Sequence, residues 1–239
     1  MNAPEHIIFK VYLQVYGGKH KPLEYQLFIK STTVHLLAKH LNLAYIPEIN
    51  PQGNVCMAEN LEVRPEFRQS ISNVHLRNFF YAILHSSMYG TARKTLLQFD
   101  FPWFHFPGEK EDFWMLVSYG ENLIRLHATG ISGSFGLETE FPEMGSFIID
   151  PSEIRFDAKS QKLWINNHQY FSNVPAHVWA YRIGGCHPLH QWLVMHAGHD
   201  LKDKARTEFR ALTSYIRETN YLSQKIDTVL KYFPSSGNS

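Results

Sequence analysis

The strongest constraint on the fold lies near the C-terminus, where Ala205, Phe209, Leu212, Ile216, Leu222, Ile226, Val229 and Phe233 recur at helical intervals along and just past residues 202–232. An apolar stripe of that length must be covered by the rest of the chain. The segment is therefore expected to be a closing helix, either continuous or broken near Asn220.

Upstream, glycine and proline cut the chain into short elements. Residues 6–16 and 23–30 read as extended runs around the turn Gly17-Gly18-Lys19-His20-Lys21-Pro22, which predicts a hairpin with a basic tip. Ser31-Thr32-Thr33 is placed to cap a short helix ending at Leu41. A strand over 43–46 and an irregular stretch over 47–73 follow. Leu76, Phe79, Phe80, Ile83 and Leu84 share one helical face, so this segment is expected to be a buried amphipathic helix. A short helix is expected over 91–97. The prolines in Phe99-Asp100-Phe101-Pro102-Trp103-Phe104-His105-Phe106-Pro107 then disfavour helix, before Asp112 opens another helix with Phe113, Leu116, Val117, Leu123, Ile124 and His127 inward.

Gly130, Gly133 and Gly136 mark a link between two lobes. Beyond it, short strands are expected over 147–149, 153–156 and 163–165, with Asp157-Ala158-Lys159-Ser160 as a turn. A helical turn runs from Val174-Pro175 towards Trp179, and Pro188–Met195 reads as a helix. The expected fold class is α+β, with mixed helical and short-stranded lobes forming a single compact unit of two lobes.

Charge and chemistry narrow the function. Lysine and arginine number 23 against 22 acidic residues, so no global basic field draws nucleic acid in from a distance. Cys56 and Cys186 form no metal-binding pair and suit a reduced, cytoplasmic setting. The start Met1-Asn2-Ala3-Pro4-Glu5-His6 lacks the features of a signal peptide. No apolar run reaches the roughly 20 residues that span a bilayer, and no membrane partner is expected.

Catalytic signatures are missing. The glycines form neither a dinucleotide fingerprint nor a phosphate loop, and no Gly-x-Ser-x-Gly elbow or nucleophilic cysteine motif occurs. Adenine methyltransferases hold the target amino group with an Asp/Asn-Pro-Pro-Tyr/Phe motif, and Phe101-Pro102-Trp103 lacks both its proline pair and its polar head. Glu109-Lys110-Glu111-Asp112 suits the charged start of a helix rather than a nuclease site. Cys186, His187, His190, His196 and His199 carry zinc-type donors, but at no recognised zinc spacing. No metal and no catalysis are expected.

Two ordered blocks carry a resemblance. Phe80-Tyr81-Ala82-Ile83-Leu84-His85-Ser86-Ser87-Met88-Tyr89, continuing to Phe99-Asp100-Phe101-Pro102, is followed by Leu163-Trp164-Ile165-Asn166, Gln169-Tyr170-Phe171, Val174-Pro175, Val178-Trp179 and Tyr181-Arg182-Ile183-Gly184-Gly185. Trp192-Leu193, Glu218-Thr219 and Ile226-Asp227 complete the series. Over residues 79–230 the chain resembles the C-terminal specificity domain of Type ISP restriction-modification enzymes. Residues 1–75, a hairpin and helix region, match only around Asn42-Leu43-Ala44-Tyr45-Ile46, and residues 76–239 would form the specificity-like domain.

The resemblance implies a domain that follows an adenine methyltransferase domain, reads a short asymmetric sequence in double-stranded DNA and presents the target. The implied partners are double-stranded DNA and an adenine methyltransferase domain or subunit. S-adenosylmethionine would belong to that methyltransferase, and this chain would need no cofactor.

Departures from the family pattern remove cations. Gly90 stands where the family tends to have arginine, Trp103-Phe104-His105 replaces Arg-Ile-Pro, and Val194-Met195-His196-Ala197-Gly198-His199 replaces Lys-Asp-Arg-Lys-Gly-Arg. Each lost phosphate contact lowers affinity and its salt dependence. Trp164, Trp179 and Trp192 are expected to build the core. Basic side chains on loops remain as candidate DNA contacts: Lys19, Lys21, Arg93, Lys94, Lys159, Lys162 and Arg182. The competing expectation is a degenerate protein-interaction module that docks on a methyltransferase or another partner through Trp103, Phe104 and Phe106.

Overall fold

A computed structural model describes residues 6–13, 23–47, 68–86, 107–129, 139–141, 145, 147–182 and 186–230. The chain divides into two compact units, one made of Met1–Tyr12, Glu24–Arg125 and Leu222–Ser239, the other of Leu13–Leu23 and Leu126–Tyr221. Helices and short strands are mixed in the chain, in the α+β class read from the sequence.

In the first unit, β1 (His6–Leu13) and β2 (Leu23–Lys30) pair as a two-stranded sheet; the expected basic tip between them lies outside the described residues. α1 (Ser31–His40) follows directly, so Lys30 occupies the N-cap and no side chain caps the helix. Its C-terminus closes with bonds from Asn42 N to the Lys39 carbonyl (3.1 Å) and from Leu43 N to the Ala38 carbonyl (2.9 Å). That pattern needs a left-handed residue at its centre, and Asn42 adopts φ 52°. β3 (Ala44–Tyr45) then pairs in parallel with β4 (Ser70–Ile71), in the register Ala44 to Ser70. The latter strand falls in a stretch expected to be irregular. Two residues are too few to show alternation in a sequence, and here the partner strand defines the element.

α2 (Asn73–Leu84) buries the five predicted apolar residues, but Asn78, Tyr81 and Ala82 are buried as well. The helix is enclosed on more than one face. α3 (Lys110–Thr129) buries Phe113, Leu116, Val117 and Leu123, while Ile124 and His127 are half-buried. Trp114, only 2% exposed, is enclosed in the core of this unit. Its ring meets His75 edge-on at 4.9 Å and Phe113 at 5.0 Å, and the Arg68 guanidinium lies 4.7 Å from its centroid.

The second unit is built around an antiparallel sheet of β5 (Arg155–Asp157), β6 (Lys162–Trp164) and β7 (Tyr170–Phe171). Residues 148 and 149 make isolated bridges to Asp200 and Ala197 instead of joining that sheet. α4 (Ala176–Trp179) and α5 (Pro188–Met195) occupy the expected places. α6 (Asp203–Leu230) is a continuous helix of 28 residues. It passes through Asn220 without a break because that side chain turns outward to donate to the His177 carbonyl at 3.3 Å, so it does not compete for the helix backbone.

The core of this unit joins the sheet to α6. Leu163 and Phe171 point inward and are fully buried, and the Phe171 ring lies 4.2 Å from that of Phe209 on α6. Trp192 adds a third ring 5.0 Å from Phe209. Trp164, Trp179 and Trp192 are each only partly buried, so none of the tryptophans expected to build the core is enclosed as Trp114 is. Among the described residues no helix is long and apolar enough to cross a membrane.

Candidate nucleic-acid interface

Strand pleating divides the three-stranded sheet into two chemically different faces. Register pairs Phe156 with Leu163 and Leu163 with Phe171 on the inner side; Arg155 pairs with Trp164, Trp164 with Tyr170, and Asp157 with Lys162 on the outer side. Because side chains alternate along a strand, the outer face alternates cations with aromatic rings.

These side chains form a ladder. The Arg155 guanidinium lies 4.5 Å from the Trp164 ring centroid. Trp164 and Tyr170 stand 4.7 Å apart at 55°. The Lys162 ammonium sits 4.0 Å from the Tyr170 centroid and 5.8 Å from that of Trp164. Each such contact contributes about 0.5–1 kcal/mol at an exposed site, enough to bias a flexible cationic side chain towards one position.

The acids nearby are held by local partners. Asp157 accepts hydrogen bonds from the Ser160 hydroxyl (2.5 Å) and the Lys159 backbone N–H (3.0 Å). The Ser160 hydroxyl, helped by that N–H, holds its carboxyl below the usual range. Glu153 reaches Arg155 at 3.4 Å across exposed surface, an interaction worth little in water.

Of the candidate contacts, Lys159 projects from the β5–β6 turn and is exposed, and Lys162 lies on the ladder, half-buried. Arg182 is exposed after α4, where its guanidinium donates to the carbonyls of Trp179 (3.2 Å) and Tyr181 (3.1 Å). It is committed to the end of that helix. Lys19, Lys21, Arg93 and Lys94 lie outside the described residues, as do Trp103, Phe104 and Phe106. Arg155 was not singled out from the sequence. Its place two residues before Asp157 in an extended run puts both on one face, but its partner Trp164 follows only from the register.

The histidines after Gly185 engage different partners. His187 stacks on His190 at 5.5 Å and meets Trp179 edge-on at 4.3 Å. His196 stacks on Trp192 at 3.8 Å and donates from Nδ1 to the Trp192 carbonyl, while His199 donates to the carbonyl of Ala197. Burial, reinforced by Arg182, lowers the His187 pKa to about 4. Among the described residues no three His, Cys, Asp or Glu side chains converge to hold a metal ion. Where the family pattern has a basic run after Trp192-Leu193, Val194 and Met195 are exposed.

The family model of the Type ISP C-terminal specificity domain matches residues 34–225. No curated protein matches the chain. Among solved structures, the chain is similar to a nuclease-deletion mutant of the Type ISP restriction-modification enzyme LlaGI in complex with a DNA substrate mimic. Identity there is 16% over 68% of this chain and 14% of that one, with a TM-score of 0.46. The ATP-dependent Type ISP restriction-modification enzyme LlaBIII bound to DNA is 13% identical, over 98% of this chain and 14% of that one, with a TM-score of 0.48. DrdV, in a complex with DNA, is 15% identical over 93% of this chain and 21% of that one; its TM-score of 0.53 marks a shared fold. The chain spans 14–21% of the length of these proteins.

Proposed function

This chain belongs to the Type ISP C-terminal specificity domain family, and from that premise we propose that it recognises a target sequence in double-stranded DNA for a restriction-modification system. The observation that carries the reading is the family match over residues 34–225. In this reading the chain is noncatalytic by itself. An adenine methyltransferase domain or subunit is its partner, and that partner holds S-adenosylmethionine and performs methyl transfer.

Recognition divides into holding and reading. Cations on exposed turns and strands neutralise phosphates without regard to sequence, and polar side chains beside them read base edges in the major groove. Lys159, Lys162 and Arg182 are the described cations assigned to contact, with Lys19, Lys21, Arg93 and Lys94 as further contacts. The near-neutral total charge makes local clusters, not a global field, the source of attraction.

Fluorescence titration of the full chain with labelled duplex DNA tests the reading. Affinity should fall steeply between low and moderate salt as displaced counterions are released. No binding at low salt, or binding insensitive to salt, would sink it.

A further inference from the structure

We propose that the outer face of the three-stranded sheet is a phosphate clamp, in which Arg155 and Lys162 grip the sugar–phosphate backbone of duplex DNA and Trp164 and Tyr170 hold those two cations in position. The proposal rests on the DNA-recognition reading above and assigns a surface and a division of labour to it.

Three observations support it. The first is preorganisation: the guanidinium of Arg155 and the ammonium of Lys162 rest over aromatic rings 4.5 and 4.0 Å away. Long cationic side chains ordinarily lose much rotamer freedom on binding, and here part of that loss occurs on folding. The second is charge. Lys159 joins the two cations from the adjacent turn, and the acid sharing the face, Asp157, is occupied by Ser160 and by the Lys159 backbone. Lys159 and Lys162 enter no ion pair among the described residues. Arg155 does meet Glu153 at 3.4 Å, but a pair so exposed to water is weak enough for a phosphate to displace. Arg125 is paired with Glu121 and Arg206 with Asp203, and Arg206 also lies over the ring of Phe147. The third is rigidity: the inner face of the same strands is anchored by the fully buried Leu163 and Phe171, so the ladder stands on core.

The chemistry fits phosphate better than bases. A cation lying on a ring presents charge outward but has few free hydrogen-bond directions for discriminating base edges. The clamp should therefore set affinity and its salt dependence, leaving sequence preference to other residues.

The test compares four full-length proteins by titration with one labelled duplex over a range of salt. They are the wild type, Arg155→Gln with Lys162→Gln, Trp164→Leu with Tyr170→Leu, and Trp164→Phe with Tyr170→Phe. Circular dichroism and thermal unfolding check that each is folded. Removing two phosphate contacts should make the slope of log K against log salt shallower by about 1.8. Between 50 and 200 mM salt the wild type should then lose about 12-fold more affinity than the double glutamine variant. The leucine variant should bind more weakly with an unchanged slope, since its charges remain, and the phenylalanine variant should keep wild-type affinity.

As a charge control, Lys39→Gln with Arg125→Gln removes the same charge from the first unit and should leave the slope unchanged. An unchanged slope in the Arg155/Lys162 variant, with the wild type binding DNA normally, overturns the clamp and leaves the recognition reading standing. An equal fall in the Lys39/Arg125 control assigns the effect to net charge and also overturns the clamp. Unaltered affinity in the leucine variant overturns the positioning role of the rings. Absence of DNA binding by the wild type overturns the recognition reading itself.

Discussion

Helices α2 and α3 meet at Gly120 and Asn78, where a β-carbon on Gly120 would stand 1.8 Å from the Asn78 carbonyl oxygen. No side-chain adjustment relieves that contact, because the obstructing atoms belong to the backbone of α2. Gly120→Ala should therefore lower stability by about 3 kcal/mol, at the upper end of the range for overpacked cores. The sign is diagnostic. In an unobstructed helix the same change stabilises by about 1 kcal/mol, as Ser118→Ala on the exposed side should do to a lesser degree. Urea unfolding of both variants checks this, and an unchanged or raised midpoint for Gly120→Ala would refute the crossing.

Acid should weaken the fold through His75 and His187. Burial, with a further contribution from Arg68, lowers the His75 pKa to about 4, and burial with Arg182 does the same for His187. An unfolded histidine takes up its proton near pH ~6.5. Between those values the unfolded state holds more protons, so stability rises with pH through the window and falls as pH drops towards 4. His75 also accepts a hydrogen bond at Nδ1 from the Ser72 backbone N–H at 3.2 Å, which protonation would remove. Urea midpoints at roughly pH 4.5 and pH 7 should differ in the wild type and differ less in His75→Gln, since glutamine retains an acceptor at this capping position. An identical difference in both proteins would exclude His75 as a source.

Gln169 ties the β6–β7 turn to the segment at Phe147. Its buried Oε1 accepts from Phe147 N (3.0 Å) and Asn166 Nδ2 (2.9 Å). Gln169→Met keeps the length of the side chain and removes that acceptor, at a cost on the order of 2 kcal/mol. Amide exchange at Phe147 should accelerate in the variant. Wild-type exchange together with wild-type stability would show that the bond is dispensable.

Arg93 and Lys94, which lie outside the described residues, are proposed as DNA contacts. Reversing both, as Arg93→Glu with Lys94→Glu, should weaken binding to every duplex by a similar factor, as loss of phosphate contacts does. Competition among duplexes of different sequence provides the measurement. A change confined to one sequence would make them readers.

Much of the fold was legible where the signal is local and repeated. The start of α5 at Pro188, the hairpin strands and the apolar positions of α6 all follow from punctuation and periodicity. Short nonlocal elements were not legible. β4 exists because Ser70 and Ile71 lie beside β3, and nothing within those residues announces a strand. The tryptophans illustrate the same limit: Trp114 carried no motif yet is enclosed, whereas the motif residue Trp164 lines an open face. Size and hydrophobicity favour burial for any tryptophan, but the surrounding elements decide which one is covered.

By itself the sequence determined the family, through ordered motif blocks, and the long closing helix, through an apolar stripe that any fold would have to cover. Lys159 and Lys162 were already candidates as cations near a turn. Only the tertiary structure brought Arg155 against Trp164 and placed Lys162 over Tyr170, because strand register decides which residues of neighbouring strands face one another. It alone required glycine at position 120, where the backbone of another helix occupies the space a side chain would fill.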